Sequence, residues 1–141
     1  MVAQQVMSGT HGELWIDGDY MAEVTEFKAE VTLEKTEVHI VKKLAKQYKV
    51  TGLECKGSIK MNKVSSYMIK KLSDSIKAGK QVVCTIISKL SDPDAIGAER
   101  IVIRDAVFDK LVLADWAAKK MGEESHDFTF SDWEPLDLAE E

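Results

Sequence analysis

The chain has 141 residues, of which 45% are hydrophobic and 30% charged, with a formal net charge of −5. That length suits one core, so a single domain over residues 1–141 is expected, and the composition excludes a largely disordered polymer. No run of about 18 apolar residues is present, which excludes a membrane-spanning helix. Met1–Gly9 carries neither a basic nor an apolar leader region, so the chain is expected to stay in the cytosol where it is made.

The net charge hides a division along the chain. Residues 1–36 carry seven acids and two bases, residues 37–80 three acids and eleven bases, and residues 121–141 eight acids and no base. Separate acidic and basic territories allow copies to attract one another head to tail. Neutralisation within one copy is the alternative, and charge alone does not choose between them.

In chain order, Gly9–Asp17 sets Leu14 and Ile16 on one face of a short strand that runs into Asp17-Gly18-Asp19, a tight-turn signal. Ala22 and Val24 continue one parity, whereas Phe27, Ala29, Val31 and Leu33 take the other, so a β-bulge is expected near Thr25. Glu26, Lys28, Glu30, Thr32 and Glu34 occupy the opposite, polar face of that strand. Glu37–Val41 reads as strand again. Residues 42–50, with Lys42, Lys43, Lys46 and Lys49, lose the two-residue period and read as a long basic loop.

Leu53, Cys55, Gly57, Ile59 and Met61 then alternate with charged or small residues, giving a second long strand and, with the first, one extended hairpin. Over about 64–78 the period becomes helical through Met68, Ile69, Leu72 and Ile76, and Gly79 is a stop signal. Gln81–Ser88 is a β-branched run fit for a buried strand, followed by a turn at Ser91-Asp92-Pro93-Asp94. Arg100–Leu113 is β-rich with an irregularity at Asp105 and Ala106, and Asp115–Gly122 reads as a helical turn. Phe128, Phe130 and Trp133 close the strand set, and Pro135 opens an acidic tail, 135–141, expected to be flexible. The fold class is mainly β: a β-sandwich or partial barrel with one flanking α-helix.

Catalytic and metal motifs are absent from the sequence. His11, His39 and His126 lack ligand spacing, Cys55 and Cys84 lack CxxC spacing and read as free thiols, and neither GxSxG nor a P-loop occurs. A non-enzymatic chain with no metal and no cofactor is expected. The lysines of residues 42–63 could track phosphate, which makes a small β-barrel nucleic-acid-binding protein the alternative, although Tyr48 is their sole aromatic companion. Long two-faced strands raise another requirement: their edges expose unpaired N–H and C=O groups that something must cover. A barrel closed within the chain would do so, and so would sheets from several copies joined around a channel.

The segments Ser8-Gly9-Thr10-His11-Gly12-Glu13-Leu14-Trp15-Ile16-Asp17-Gly18, Glu37-Val38-His39-Ile40, Thr51-Gly52, Lys63-Val64-Ser65-Ser66, Glu99-Arg100-Ile101-Val102-Ile103 and Phe128-Thr129-Phe130-Ser131-Asp132-Trp133, in this order, resemble the tail tube proteins of contractile phages, PBSX-type defective prophages and R-type bacteriocins. The resemblance implies homohexameric rings stacked into a hollow tube inside a contractile sheath, with protomer sheets joined into one inner barrel. It implies self-association, a tail sheath protein, baseplate, tail terminator and tape measure proteins as partners, and DNA or ions as cargo that passes without specific binding. Such a protein is located in a virion tail or phage-like particle assembled in the bacterial cytoplasm. On that basis Glu26, Lys28, Glu30, Thr32 and Glu34 are candidate channel-lining residues, and Lys42, Lys43, Lys46 and Lys49 are candidate inter-subunit and ring-stacking residues.

Overall fold

Local chemistry sets the first hairpin. In the computed structural model, which describes residues 3–140, β1 (Gly12–Ile16) and β2 (Asp19–Tyr20) are joined by Asp17 and Gly18 at φ 50° and 87°. Two positive φ values in a two-residue loop match the right-handed twist of the strands, and an Asp-Gly pair tolerates them. The pair is therefore a turn. Met1, Val2 and Glu141, the last of which ends the expected tail, lie outside the described residues.

The next two strands are the longest in the molecule. β3 (Val24–Val38) and β4 (Gln47–Asn62) form an antiparallel hairpin whose register slips once between Val24 and Glu26 and once between Glu34 and Lys35. The first slip leaves Thr25 as the bulged residue, where the parity change predicts it. The second leaves Thr51 without a partner, since Glu34 faces Gly52 and Lys35 faces Val50. One extra residue there breaks the alternation, which is why 42–50 reads as a loop. In fact β4 begins at Gln47, Lys49 pairs with Thr36, and the connection is shorter, residues 39–46. The strand expected over Glu37–Val41 likewise ends at Val38 as the continuation of β3.

Helix α1 spans Tyr67–Lys77, later and shorter than 64–78; before it the Lys63 N–H donates to Gly122 O and so lies outside the helical hydrogen bonding. Its end follows the sequence signal: Gly79 has φ 74°, its N–H reaches Ile76 O, and the Lys80 N–H reaches Ser75 O. Met68 and Leu72 are buried. Tyr67 Oη donates to Asp19 Oδ2 at 2.8 Å and Lys71 Nζ lies 2.6 Å from Asp17 Oδ2, tying α1 to the first turn. Burial would raise the Asp17 carboxyl, but hydrogen bonds from Lys71 and the Thr85 N–H outweigh it and hold the group below its ordinary value.

The remaining strands are β5 (Cys84–Leu90), β6 (Glu99–Phe108), β7 (Glu123–Thr129) and β8 (Asp132–Asp137). All pairings are antiparallel, in the order β2-β1-β5-β6-β7-β4-β3, with β8 also on β6. β6 is the corner. Up to Ala106 it pairs with β5, and its last residues, Val107 and Phe108, pair with β7; the slip beside Asp105, at φ 57°, turns the strand between layers. The two layers enclose Leu14, Ile16, Ile59, Ile86, Ile103 and Phe128, so the mainly β sandwich with one helix is the observed architecture.

β8 takes in the first three residues, 135–137, of the segment expected to be a flexible tail. Pro135 faces Ile101, and the acids reach back to β6: Arg104 holds Glu134 at 2.8 Å and Arg100 holds Asp137 at 3.2 Å. An edge strand tolerates proline, here next to the irregularity between Arg100 and Ile101. The strand expected over Gln81–Ser88 is displaced to Cys84–Leu90, and Asp115–Gly122 holds only a turn, with Lys119 at φ 62°.

Phe128 anchors the core of the second layer, 1% exposed, with its ring centroid 6.1 Å from Phe27, 5.9 Å from Phe108 and 6.0 Å from Phe130. The space for it comes from Gly57 across the sheet: a Cβ there would lie 2.3 Å from Phe128 Cζ and 2.5 Å from Lys28 O. Gly57→Ala is expected to destabilise the fold by about 1–3 kcal/mol through overpacking, measured by urea unfolding. Gly9→Ala, with nothing within 4 Å of the added methyl group, should change it by less than about 0.5 kcal/mol.

Candidate assembly surface

The hairpin outgrows the layer that covers it. Ile59 and Met61, near its base, are buried under the sandwich, and Phe27 and Val31 are half-buried. Further out on the same face Leu33 pairs with Leu53, and both are about half exposed, at 50% and 54%. β7 accompanies β4 only over Lys56–Asn62 and the Phe130 N–H still reaches Cys55 O, so residues 47–54 and the matching part of β3 project as a two-stranded arm. Its connection presents Ile40, Val41 and Leu44 to solvent, Val41 at 86%. An isolated two-stranded ribbon with bare apolar side chains is marginal in water. It calls for a partner surface.

The outer edge of β3 makes the same demand. Among the described residues β3 pairs with β4 alone, so about half the backbone N–H and C=O groups of its fifteen residues point away from any strand. Sequence reasoning expects unpaired edges of this kind. It does not find the apolar exposure of the arm, because Leu33 and Leu53 read as core by alternation. Their exposure depends on how far the opposite layer extends, which no local pattern encodes.

Glu26, Lys28, Glu30, Thr32 and Glu34 all lie on the exposed, charged face of β3, opposite Lys60, Ser58, Lys56, Glu54 and Gly52 of β4. Lys60 reaches Glu26 at 3.7 Å, Lys28 reaches Glu30 at 3.6 Å and Lys56 reaches Glu54 at 2.8 Å. The hydrogen bond and charge of Glu54 raise the Lys56 pKa. With Glu123 and Asp127 of β7 in register, this face carries six carboxylates against three ammonium groups. Surface pairs of this kind add little stability, and the face keeps an acidic excess.

Lys42, Lys43, Lys46 and Lys49 cluster at the arm's end, all exposed, with Lys42 at φ 68°; among the described residues none forms an ion pair. By contrast Lys60, Lys63 and Lys71 are held by Glu26, Glu124 and Asp17. Neutralisation within one copy therefore uses up part of the basic middle of the chain and spares the arm. The same pairs interrupt the lysine track that a nucleic-acid-binding surface would need over residues 42–63.

His126 is fully buried with both ring nitrogens lacking a hydrogen-bond partner; its Nε2 lies 3.7 Å from Glu124 Oε1, which Lys63 Nζ approaches at 3.2 Å. Burial lowers the His126 pKa more than Glu124 raises it. Cys84 is buried and pushed up to about 11, chiefly by burial, and both cysteines are free. Among the described residues no group of three His, Cys, Asp or Glu side chains could hold a metal.

A family model described as "Phage tail tube protein" matches residues 1–137. The chain is 32% identical to the phage-like element PBSX protein XkdM of Bacillus subtilis (strain 168), over 94% of this chain and 91% of that one. A solved structure of a Bacillus subtilis protein, 32% identical, superposes with a TM-score of 0.53 over 93% of this chain and 96% of that one. A chain from an extracellular contractile injection system, solved as the PVC sheath/tube terminator in the extended state, superposes with a TM-score of 0.73 over 96% of this chain and 100% of that one. At 8% identity it shares the fold.

Because the folded state holds His126 neutral below its ordinary pKa, stability should be fully present above about pH 6.5 and fall as the pH drops below that value, where the unfolded chain takes up the proton first. His126→Leu should flatten this slope in urea midpoints measured between about pH 7.5 and 5. An unchanged slope would assign the acid sensitivity to other groups.

Proposed function

Because the chain belongs to the phage tail tube protein family, we propose that its copies join into homohexameric rings that stack as the hollow inner tube of a contractile tail. The role is structural and non-enzymatic. The observation that carries it is the long β3 edge with no partner among the described residues, next to an arm whose apolar side chains are bare. Sheets of neighbouring copies that join at such edges form one inner barrel and leave no edge exposed.

In this reading Glu26, Lys28, Glu30, Thr32 and Glu34 face the channel. The acidic excess of that face repels a nucleic-acid backbone within a Debye length of about 8 Å at physiological salt, so DNA passes without specific binding; a bacteriocin tube of the same build would conduct ions. Lys42, Lys43, Lys46 and Lys49 contact an acidic surface of a neighbouring subunit or the next ring. Ring-to-ring contact is heterologous, so it propagates as an open filament. A tail sheath protein surrounds the tube, and baseplate, terminator and tape measure proteins define its ends and length. The particle is a phage tail or phage-like element assembled in the bacterial cytoplasm.

Electron microscopy of the purified protein at high concentration should show rings or hollow rods. Reversal of Lys42, Lys43, Lys46 and Lys49 to Glu should abolish them while thermal unfolding stays within about 1 kcal/mol of the parent. Normal rods from the reversed variant would refute the role of the lysines. A protein that stays monomeric or dimeric, with DNA affinity falling steeply as salt rises, would point to the nucleic-acid-binding alternative.

A further inference from the structure

A buried imidazole with no hydrogen bond to either nitrogen among the described residues, that of His126, lies on the inner side of β7. Burying an unpaired polar group costs stability that an apolar side chain of similar size would not. Its Nε2 faces Glu124 Oε1 at 3.7 Å, and the same oxygen accepts a hydrogen bond from Lys63 Nζ at 3.2 Å. Glu124 is itself buried, so one carboxylate stands between an imidazole and an ammonium group. This cluster joins separate pieces of the chain. Lys63 follows β4, Glu124 and His126 belong to β7, and the Lys63 N–H donates to Gly122 O at 2.9 Å, where the connection from β6 to β7, residues 109–122, ends. The approach there is close: a Cβ on Gly122 would lie 2.9 Å from Lys63 Cβ. Val112, Leu113, Ala114 and Asp115 of the connection line a small cavity with Lys63 and Glu124. The connection holds neither helix nor strand, and its Trp116 and Met121 are almost wholly exposed.

We propose that Lys63, Glu124 and His126 form an acid-sensitive latch, in which protonation of His126 releases residues 109–122 from the end of β4 while the two layers stay folded. The charged groups that act on His126 are Glu124 on β7, Lys63 after β4 and Lys110 in the connection. Its other neighbours bring no charge: Ile59 is its register partner on β4, and the Phe108 ring of β6 stands edge-on at 6.1 Å. At neutral pH burial keeps the imidazole uncharged and Glu124 is left to Lys63. A proton on His126 adds a third positive charge beside a single carboxylate, in a site closed to water. Lifting the connection admits water and separates Lys63 from Gly122 and Glu124, without parting Phe27, Phe128 and Phe130. A segment held by so few contacts opens at a free energy well below that of global unfolding. The latch works within one copy and does not depend on the tube reading. Acid thereby governs how the protein presents Leu113, Trp116 and Met121, the apolar side chains this segment shows to solvent.

The test is hydrogen exchange of the full chain in dilute solution, read at single amides and corrected for the intrinsic pH dependence of exchange. The reporters are the N–H groups of Lys63 and Asp109, which donate to Gly122 O and Asp127 O. Their opening should be level above about pH 6.5 and rise by up to about tenfold per pH unit below it. At every pH it should stay at least about tenfold more frequent than that of the slowest amides of β5 and β6. His126→Leu should remove the rise. Lys63→Met, at a partly exposed side chain, should speed exchange at Asp109 already at pH 7.5 and shrink the rise, because Glu124 is then free to pair with the imidazolium. A purely structural imidazole would not alter its pH profile in this way. No rise in the parent, or a rise that survives His126→Leu, would overturn the latch. Reporters that open together with β5 and β6 would overturn it too, since acid would then act by global unfolding. If His126→Leu does not fold, Lys63→Met decides, and a rise unchanged in that variant would contradict the proposal.

Discussion

A hydrogen-bonding deficit organises this protein. β3 is fifteen residues long and pairs on one side only, so a row of strong donors and acceptors lies along one flank of the molecule. Water satisfies them in a lone copy, but the long strand then remains a template for any other edge. Monomeric β proteins blunt such edges with short strands, prolines or covering loops; this chain does none of these along β3.

The rest of the fold holds that edge in place. Gly57 lets Phe128 seat against the hairpin's base, and Phe27, Phe108 and Phe130 surround that ring. The base is therefore rigid while the arm beyond Leu33 and Leu53 has no layer beneath it. At the other layer, α1 is fastened to the first turn through Tyr67 and Lys71. One face of the hairpin is acidic on balance, the arm's end is basic, and the lysines that could have confused the two are neutralised inside the chain.

What was legible in the sequence was local. The Asp17-Gly18 turn, the bulge at Thr25, the irregularity at Asp105 and the stop at Gly79 each rest on residues within a few positions of one another, and each lies where the pattern puts it. Failures came where a distant partner decides. Thr51 is squeezed out of register by β3, and the lost alternation disguised the start of β4. The segment after Pro135 read as a solvated tail, yet its first residues extend β8, where Arg100, far back in the chain, holds Asp137. The five β3 residues proposed to line a channel do share one exposed face, as alternation requires. The β-rich reading of Arg100–Leu113 overran β6, which ends at Phe108, and the bare apolar arm left no clear pattern, since exposure there is set by where the opposite layer stops.

Amide hydrogen exchange along β3 tests the central claim most directly. In dilute, monomeric protein the amides of β3 that point away from β4 should exchange rapidly, and in concentrated, assembled protein the same amides should become strongly protected while those bonded to β4 change little. Protection of the outward amides that is equally high in the monomer, or equally low in the assembly, would mean that this edge is not what joins one copy to the next.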